Sequence, residues 1–162
     1  MTPPRRALVR LLTGSVALLV ITCSGDRPVL PETIAGLRLQ EHLTGDAARR
    51  FVDRLHGRSV TPEDNEIGVY AGQAGRATVY VTRYADARQA ESAGRRMTDR
   101  ISPANSAFSG GEYLDVGGRQ VYRCTGMGQI HFVLTDRQRL YWVSAGGQLA
   151  NAFLAAWLDY LE

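Results

Sequence analysis

The stretch GEYLDVGGRQVYRCTGMGQIHFVLTDRQRLYWVSA, residues 111–145, decides the fold. Four runs rich in β-branched and aromatic residues, Glu112 to Val116, Gln120 to Cys124, Gln129 to Leu134 and Leu140 to Ser144, follow one another with only turn residues between them. Gly117-Gly118, Gly126-Met127 and Asp136-Arg137 are the expected turns, because two-residue hairpins need positive φ and such residues tolerate it. Strands joined by turns this short pair antiparallel. The segment therefore predicts a four-strand meander.

On its amino-terminal side, Ile67-Gly68-Val69-Tyr70 and Ala77 to Tyr84 are strand-like runs separated by Gln73-Ala74-Gly75-Arg76, which predicts a hairpin. Asp86 followed by Gln89 is a helix-start signature, and Ala90, Ala93, Met97 and Ile101 mark one helical face that Pro103 closes. Earlier still, Leu37-Arg38-Leu39-Gln40-Glu41 alternates like a half-buried strand, and Ala47, Ala48, Phe51, Val52 and Leu55 recur at helical spacing before Gly57. After the meander, residues 148–161 place Leu149, Phe153, Trp157 and Leu161 on one stripe with Leu154 and Leu158 beside it. The expected fold is α+β: a largely antiparallel sheet of about six to seven strands with three amphipathic helices, two-layer or sandwich-like. This order is similar to small exported folds with a helix-backed antiparallel sheet, such as the PsbP/Mog1-like group. That resemblance is one of fold and implies no activity.

The chain has 162 residues, so it holds one ordinary domain and a leader. Its formal charge of +3 misleads until the charges are placed. Arg5, Arg6 and Arg10 precede every acidic residue, and from Cys23 onward 16 Arg balance 16 Asp plus Glu. Without a net positive field, long-range attraction to polyphosphate is lost, and nucleic acid is not an expected partner. All 19 basic residues are Arg, which excludes lysine Schiff-base chemistry.

Those three arginines lead into Leu11 to Ile21, an apolar run too short to span a membrane and of the length of a signal-peptide core. Val20-Ile21-Thr22-Cys23 follows and resembles the lipobox of bacterial lipoproteins, in which the cysteine is lipid-modified and becomes the new amino terminus. Thr22 stands where Gly, Ala or Ser is usual. The resemblance implies a signal peptide over 1–22, lipid attachment at Cys23 with a tether over 23–33 rich in proline, and one globular domain over 34–162. It places the protein in the cell envelope, on the periplasmic side of a membrane; a soluble periplasmic or secreted form is the alternative. It identifies the chain with small bacterial exported lipoproteins of unknown function. With Cys23 as anchor, Cys124 remains alone and no internal disulfide is available.

No GxSxG, HExxH or phosphate-loop pattern occurs, and no catalytic residue or cofactor is expected. With Gly126-Met127 as the turn, Cys124 faces Gln129 and Tyr122 faces His131, so Cys124, His131 and Met127 at the tip bring together ligand types suited to a soft ion such as Cu(I). The simpler reading makes Cys124 a buried small hydrophobe and His131 a hydrogen-bonded strand residue beside Tyr122 or Trp142. Glu63-Asp64-Asn65-Glu66 lacks the acidic spacing of a calcium loop and reads as a solvated turn. Alternation puts Tyr80 and Tyr84 on one sheet face, and with Tyr122 and Trp142 they form a candidate binding surface for an apolar ligand or a protein. The expected function is a non-catalytic ligand- or protein-binding role in the envelope; a soft-metal or thiol-active domain using Cys124 and His131 is the alternative.

Overall fold

Eleven elements build the domain in a computed structural model that describes residues 27–56, 64–101 and 107–162. In chain order they are β1 (Thr33–Ile34), β2 (Leu37–Thr44), α1 (Gly45–His56), β3 (Asn65–Gly72), β4 (Gly75–Arg83), α2 (Ala87–Ile101), β5 (Phe108–Val116), β6 (Arg119–Gly126), β7 (Gln129–Asp136), β8 (Arg139–Ala145) and α3 (Gly147–Leu161). The strands form one sheet of order β1-β2-β3-β4-β8-β7-β6-β5, antiparallel at every pairing. Two meanders meet at the β4–β8 seam, where Ala77 faces Ala145 and Arg83 faces Arg139. α2 carries the chain from the centre of the sheet to its far edge at β5, and the second meander returns to the middle.

The fold is α+β, as the hairpin pattern predicts, with eight strands and helices on both faces. α3 packs on one face, against Tyr70, Val79, Phe132, Tyr141 and Val143. On the other, α2 covers Tyr122, Cys124, Val133 and Leu140, while α1 covers Ile67. Both faces of the central strands carry apolar side chains, so neither is left to water and the helices divide between them. Asp86 starts α2 as expected: its carboxylate accepts from the backbone N–H of Gln89 at 2.9 Å. Ala90, Ala93 and Ile101 are buried along α2 and Met97 is half-buried; on α1, Ala47 is exposed, Ala48 and Val52 are buried and Phe51 packs half-buried beside them.

The additional strand, β1, straddles the boundary between the segment read as tether and the domain. β1 pairs Ile34 with Leu37, Leu30 is buried against the α3 face, and the Tyr70 hydroxyl donates to the Pro31 carbonyl at 3.0 Å. The Tyr160 hydroxyl donates to the Pro28 carbonyl, and Arg27 donates to the Tyr160 carbonyl at 3.4 Å. Packing among the described residues therefore already includes 27–30, ahead of the expected boundary at 34, because Val29 and Leu30 have apolar surface to bury and the proline carbonyls meet tyrosine donors. Residues 1–26 with Cys23, and also Gly57, Glu63 and Pro103, lie outside the described residues.

Two turns sit elsewhere than their sequence suggests. Gly126 pairs with Gln129 and Asp136 pairs with Arg139, so the turns are Met127-Gly128 and Arg137-Gln138. Met127 and Arg137 take φ of 51° and 52°, positions where glycine or asparagine is the easier occupant. Gly126 is needed for a different reason: a Cβ there would lie 2.5 Å from Cδ1 of Phe108. Close approach of β5, and not backbone freedom, puts a glycine at 126.

Candidate functional site

The turn at Met127-Gly128 sets the register of β6 and β7, and with it the geometry around His131. Cys124 faces His131 directly, His131 faces Ser144, and Tyr122 faces Val133. The expected pairs, Cys124 with Gln129 and Tyr122 with His131, are each displaced by two residues. A two-residue shift keeps every side chain on its face, so the shared face is as read while the partners differ.

His131 is 4% exposed, and both ring nitrogens are engaged. The Trp142 indole N–H donates to Nδ1 at 3.0 Å, and Nε2 lies 2.9 Å from the Gly126 carbonyl oxygen. An indole can only donate and a carbonyl can only accept, so the ring is neutral with its proton on Nε2, donating to Gly126. Burial lowers the His131 pKa below its usual value, and the bond to Gly126 offsets part of that. Phe108 closes the site edge-on, its ring centroid 5.0 Å from His131 and 5.3 Å from Trp142.

Cys124 is free and fully buried, and burial pushes its thiol pKa up, with Arg123 pulling weakly the other way. A neutral thiol opposite an imidazole whose acceptor lone pair is already taken has no base to activate it. Met127 is 79% exposed at the hairpin tip, whereas Cys124 and His131 are sealed in the sheet. The structure thus joins Cys124 with His131 and leaves Met127 out. Among the described residues, no group of three or more His, Cys, Asp or Glu converges as metal ligands.

The aromatic candidates share the same face but are largely covered. Tyr80 is half-buried with its ring centroid 6.3 Å from that of Phe51 on α1. Tyr84 and Trp142 are half-buried beside α2, and Tyr122 is buried. Tyr80, Tyr84 and Trp142 are covered by the two helices, and Tyr122 lines the floor of the opening that remains. In the residues 64–66 segment, Asn65 is buried and accepts from Thr82 at 2.8 Å, Asp64 lies 3.7 Å from Arg83, and Glu66 bonds His42 at 2.8 Å.

The open surface on this face is a cleft of about 400 Å³ between α2 and the outer strands. Glu91, Arg95 and Thr98 form its helix wall, Tyr122, Val133 and Thr135 its floor, and Tyr113, Arg119 and Gln120 its outer rim. Tyr113 is 51% exposed; its hydroxyl is 2.7 Å from that of Thr98 and its ring stands edge-on to Tyr122, with centroids 5.0 Å apart. Arg95 lies 3.9 Å from Glu91; the Arg119 side chain alternates with Val121 onto the α3 face, where it pairs with Asp136 at 2.8 Å. The helix wall therefore sets one exposed cation beside one exposed acid, which gives a polar cleft. Gly111 admits this arrangement, since a Cβ there would sit 1.9 Å from the Tyr122 hydroxyl oxygen. Sequence reading missed Glu91, Arg95, Thr98 and Gln120 as a group, because they come from separate segments and follow no motif; Tyr113 signalled only a strand.

Neither a protein-family model nor a curated protein matches the sequence. Among solved structures, the crystal structure of a GTP binding regulator from Thermotoga maritima is similar, with a TM-score of 0.48, 13% sequence identity and 74% of each chain covered. That likeness concerns overall shape alone.

Proposed function

We propose that the protein is an exported, lipid-anchored component of the bacterial cell envelope, held on the periplasmic side of a membrane through Cys23, with a non-catalytic role in binding a small ligand or another envelope protein. The location rests on the sequence of residues 5–23. No helix among the described residues is long and apolar enough to cross a membrane, and a lipid at Cys23 supplies the attachment in this reading. Because Arg27 already touches the domain, a lipid at Cys23 keeps that end of the sheet close to the bilayer.

The single observation that carries the binding role is the open polar cleft beneath α2, with Tyr113 half-exposed at its rim. Its size is within the range of small-ligand sites, roughly 300–1,000 Å³. Arg95 on its helix wall has Glu91 beside it, which favours an uncharged polar ligand or a protein segment over a polyanion. The pair of Cys124 and His131 supports a soft-metal or thiol reading less well, since the imidazole lone pair is occupied by Trp142.

Two measurements test the reading. Mass spectrometry of the mature protein is expected to show an amino terminus at Cys23 bearing acyl chains; intact Met1 without lipid overturns the location. A photo-crosslinking residue placed at Tyr113, compared with one at Arg50 on the exposed side of α1, is expected to capture an envelope component at 113 alone. Equal capture at both positions, or none at 113, overturns the binding site.

A further inference from the structure

His131 is bonded in a way that only a neutral imidazole can satisfy. A proton on Nδ1 would set an N–H against the Trp142 N–H, two donors with no acceptor between them. We propose that His131 is an acid-sensitive latch: protonation of Nδ1 breaks the bond from Trp142, expels the ring from the sheet and frees β5 with Phe108, while the α3 face stays closed.

Three observations support this. The first is that, among the described residues, no counter-charge bonds the ring. From β6 the titratable group facing the ring is Cys124, a neutral thiol; β8 presents Ser144 and Trp142, and β5 presents Phe108. α2 contributes Ala93, Met97 and Ile101 to this cluster and carries its charged residues Arg88, Glu91, Arg95, Arg96, Asp99 and Arg100 at exposed positions; Tyr84 beside it is a neutral phenol. Burial and the Gly126 carbonyl are the causes acting on the ring, and no charged side chain is among them. A buried imidazolium without a carboxylate is costly, so the protonated ring leaves.

The second is the position of β5. It is the edge strand and most of its residues are exposed. Its attachments to this face include Phe108 edge-on to His131 and Trp142, and Tyr113 against Tyr122 and Thr98. The register shift between Ser109 and Glu112 interrupts the ladder that holds it to β6. Local opening of such an edge costs less than opening the core.

The third is the sign of the proton linkage. The folded pKa of His131 lies below the ordinary histidine value of about 6.5, which the ring recovers once exposed. Above that value both states are neutral and the latch is fully closed. As pH falls from about 6.5 toward the folded pKa, the open form binds a proton that the closed form does not, and its population rises up to about tenfold per pH unit.

The test is nuclear magnetic resonance of the ¹⁵N-histidine-labelled full chain together with amide hydrogen exchange at pH 7.5, 6.5 and 5.5, corrected for intrinsic rate. At pH 7.5 the His131 proton is expected on Nε2. Between pH 6.5 and 5.5, exchange across residues 108–116 is expected to rise severalfold, up to about tenfold, while α3 is unchanged and the Trp142 indole N–H resonance shifts without that of Trp157. His131→Gln is expected to remove the step, and His42→Gln, at the exposed pair with Glu66, to leave it in place. A proton on Nδ1 at neutral pH, no change across β5, or an equal rise in α3 overturns the latch. If His131→Gln does not fold, the tautomer and exchange data of the unaltered protein decide the matter.

Discussion

The two faces of the sheet are made by the same strands, yet they are filled differently. α3 brings Leu149, Ala150, Phe153, Leu154, Trp157 and Leu158 to its face, all buried. Trp157 stacks with Phe153, centroids 6.5 Å apart, and stands edge-on to Tyr141 at 5.6 Å. α2 buries Ala90, Ala93, Gly94, Thr98 and Ile101 on the opposite face, and α1 buries Ala48 and Val52. Small side chains remove less apolar area from water, and each large one buried contributes about 1.5–3 kcal/mol. The four buried polar or charged residues among those described, Asn65, Thr98, His131 and Ser144, all belong to the α1/α2 side. Stability is concentrated under α3, and groups able to respond to protons or ligands are concentrated under α1 and α2.

The largest effect expected from this asymmetry is at Trp157. Trp157→Ala leaves a cavity at the centre of the α3 face and is expected to cost about 3–5 kcal/mol, read as a lowered denaturation midpoint. Met97→Ala, at a half-buried position on the other side, is expected to cost less than half as much; equal losses would erase the contrast between the faces.

Gly126→Val comes next. Its Cβ collides with Phe108, so β5 must shift, at about 1–3 kcal/mol. Amide exchange in residues 108–116 should accelerate ahead of that in α3. A change spread evenly over both faces would show that β5 is not a separable edge.

A smaller loss, about 1 kcal/mol, is expected for Asp86→Ala, which removes the acceptor of the Gln89 N–H in the first turn of α2. Serine at the same position should restore most of it, since its hydroxyl also caps. The smallest change is a gain. Met127→Asn places a residue at ease with positive φ in the hairpin turn, and is expected to raise stability by a few tenths to about 1 kcal/mol. A loss instead would mean that the exposed methionine makes a contact that stabilises the turn.

How much of this was legible follows from how far apart the deciding residues are. The α2 start at Asp86 and Gln89 is a local event, and the structure has the expected bond. The turn at Gly117-Gly118 lies between paired Val116 and Arg119, also as read. The β6–β7 turn was misplaced by one residue because Gly126 resembles a turn glycine, while its absent side chain makes room for Phe108, eighteen positions earlier. β5 begins at Phe108 and not at Glu112, since Gly110 and Gly111 resemble a break but form an irregularity that accommodates Tyr122. The sequence places Cys124 and His131 diagonally on one face, but their direct pairing required the β6–β7 register and the engagement of the imidazole by Trp142 the β7–β8 register.

By itself, the amino-acid order determined the alternation of faces, the antiparallel meander, the three helices and the charge balance beyond Cys23. Each depends on backbone periodicity or composition within a few residues, and that periodicity survives a register error of two. Tertiary structure alone decided which strands meet at the β4–β8 seam, which helices cover which face, and how the cleft under α2 is lined. It also decided the proton position on His131, because a ring nitrogen is a donor or an acceptor only with respect to the partner that packing brings to it.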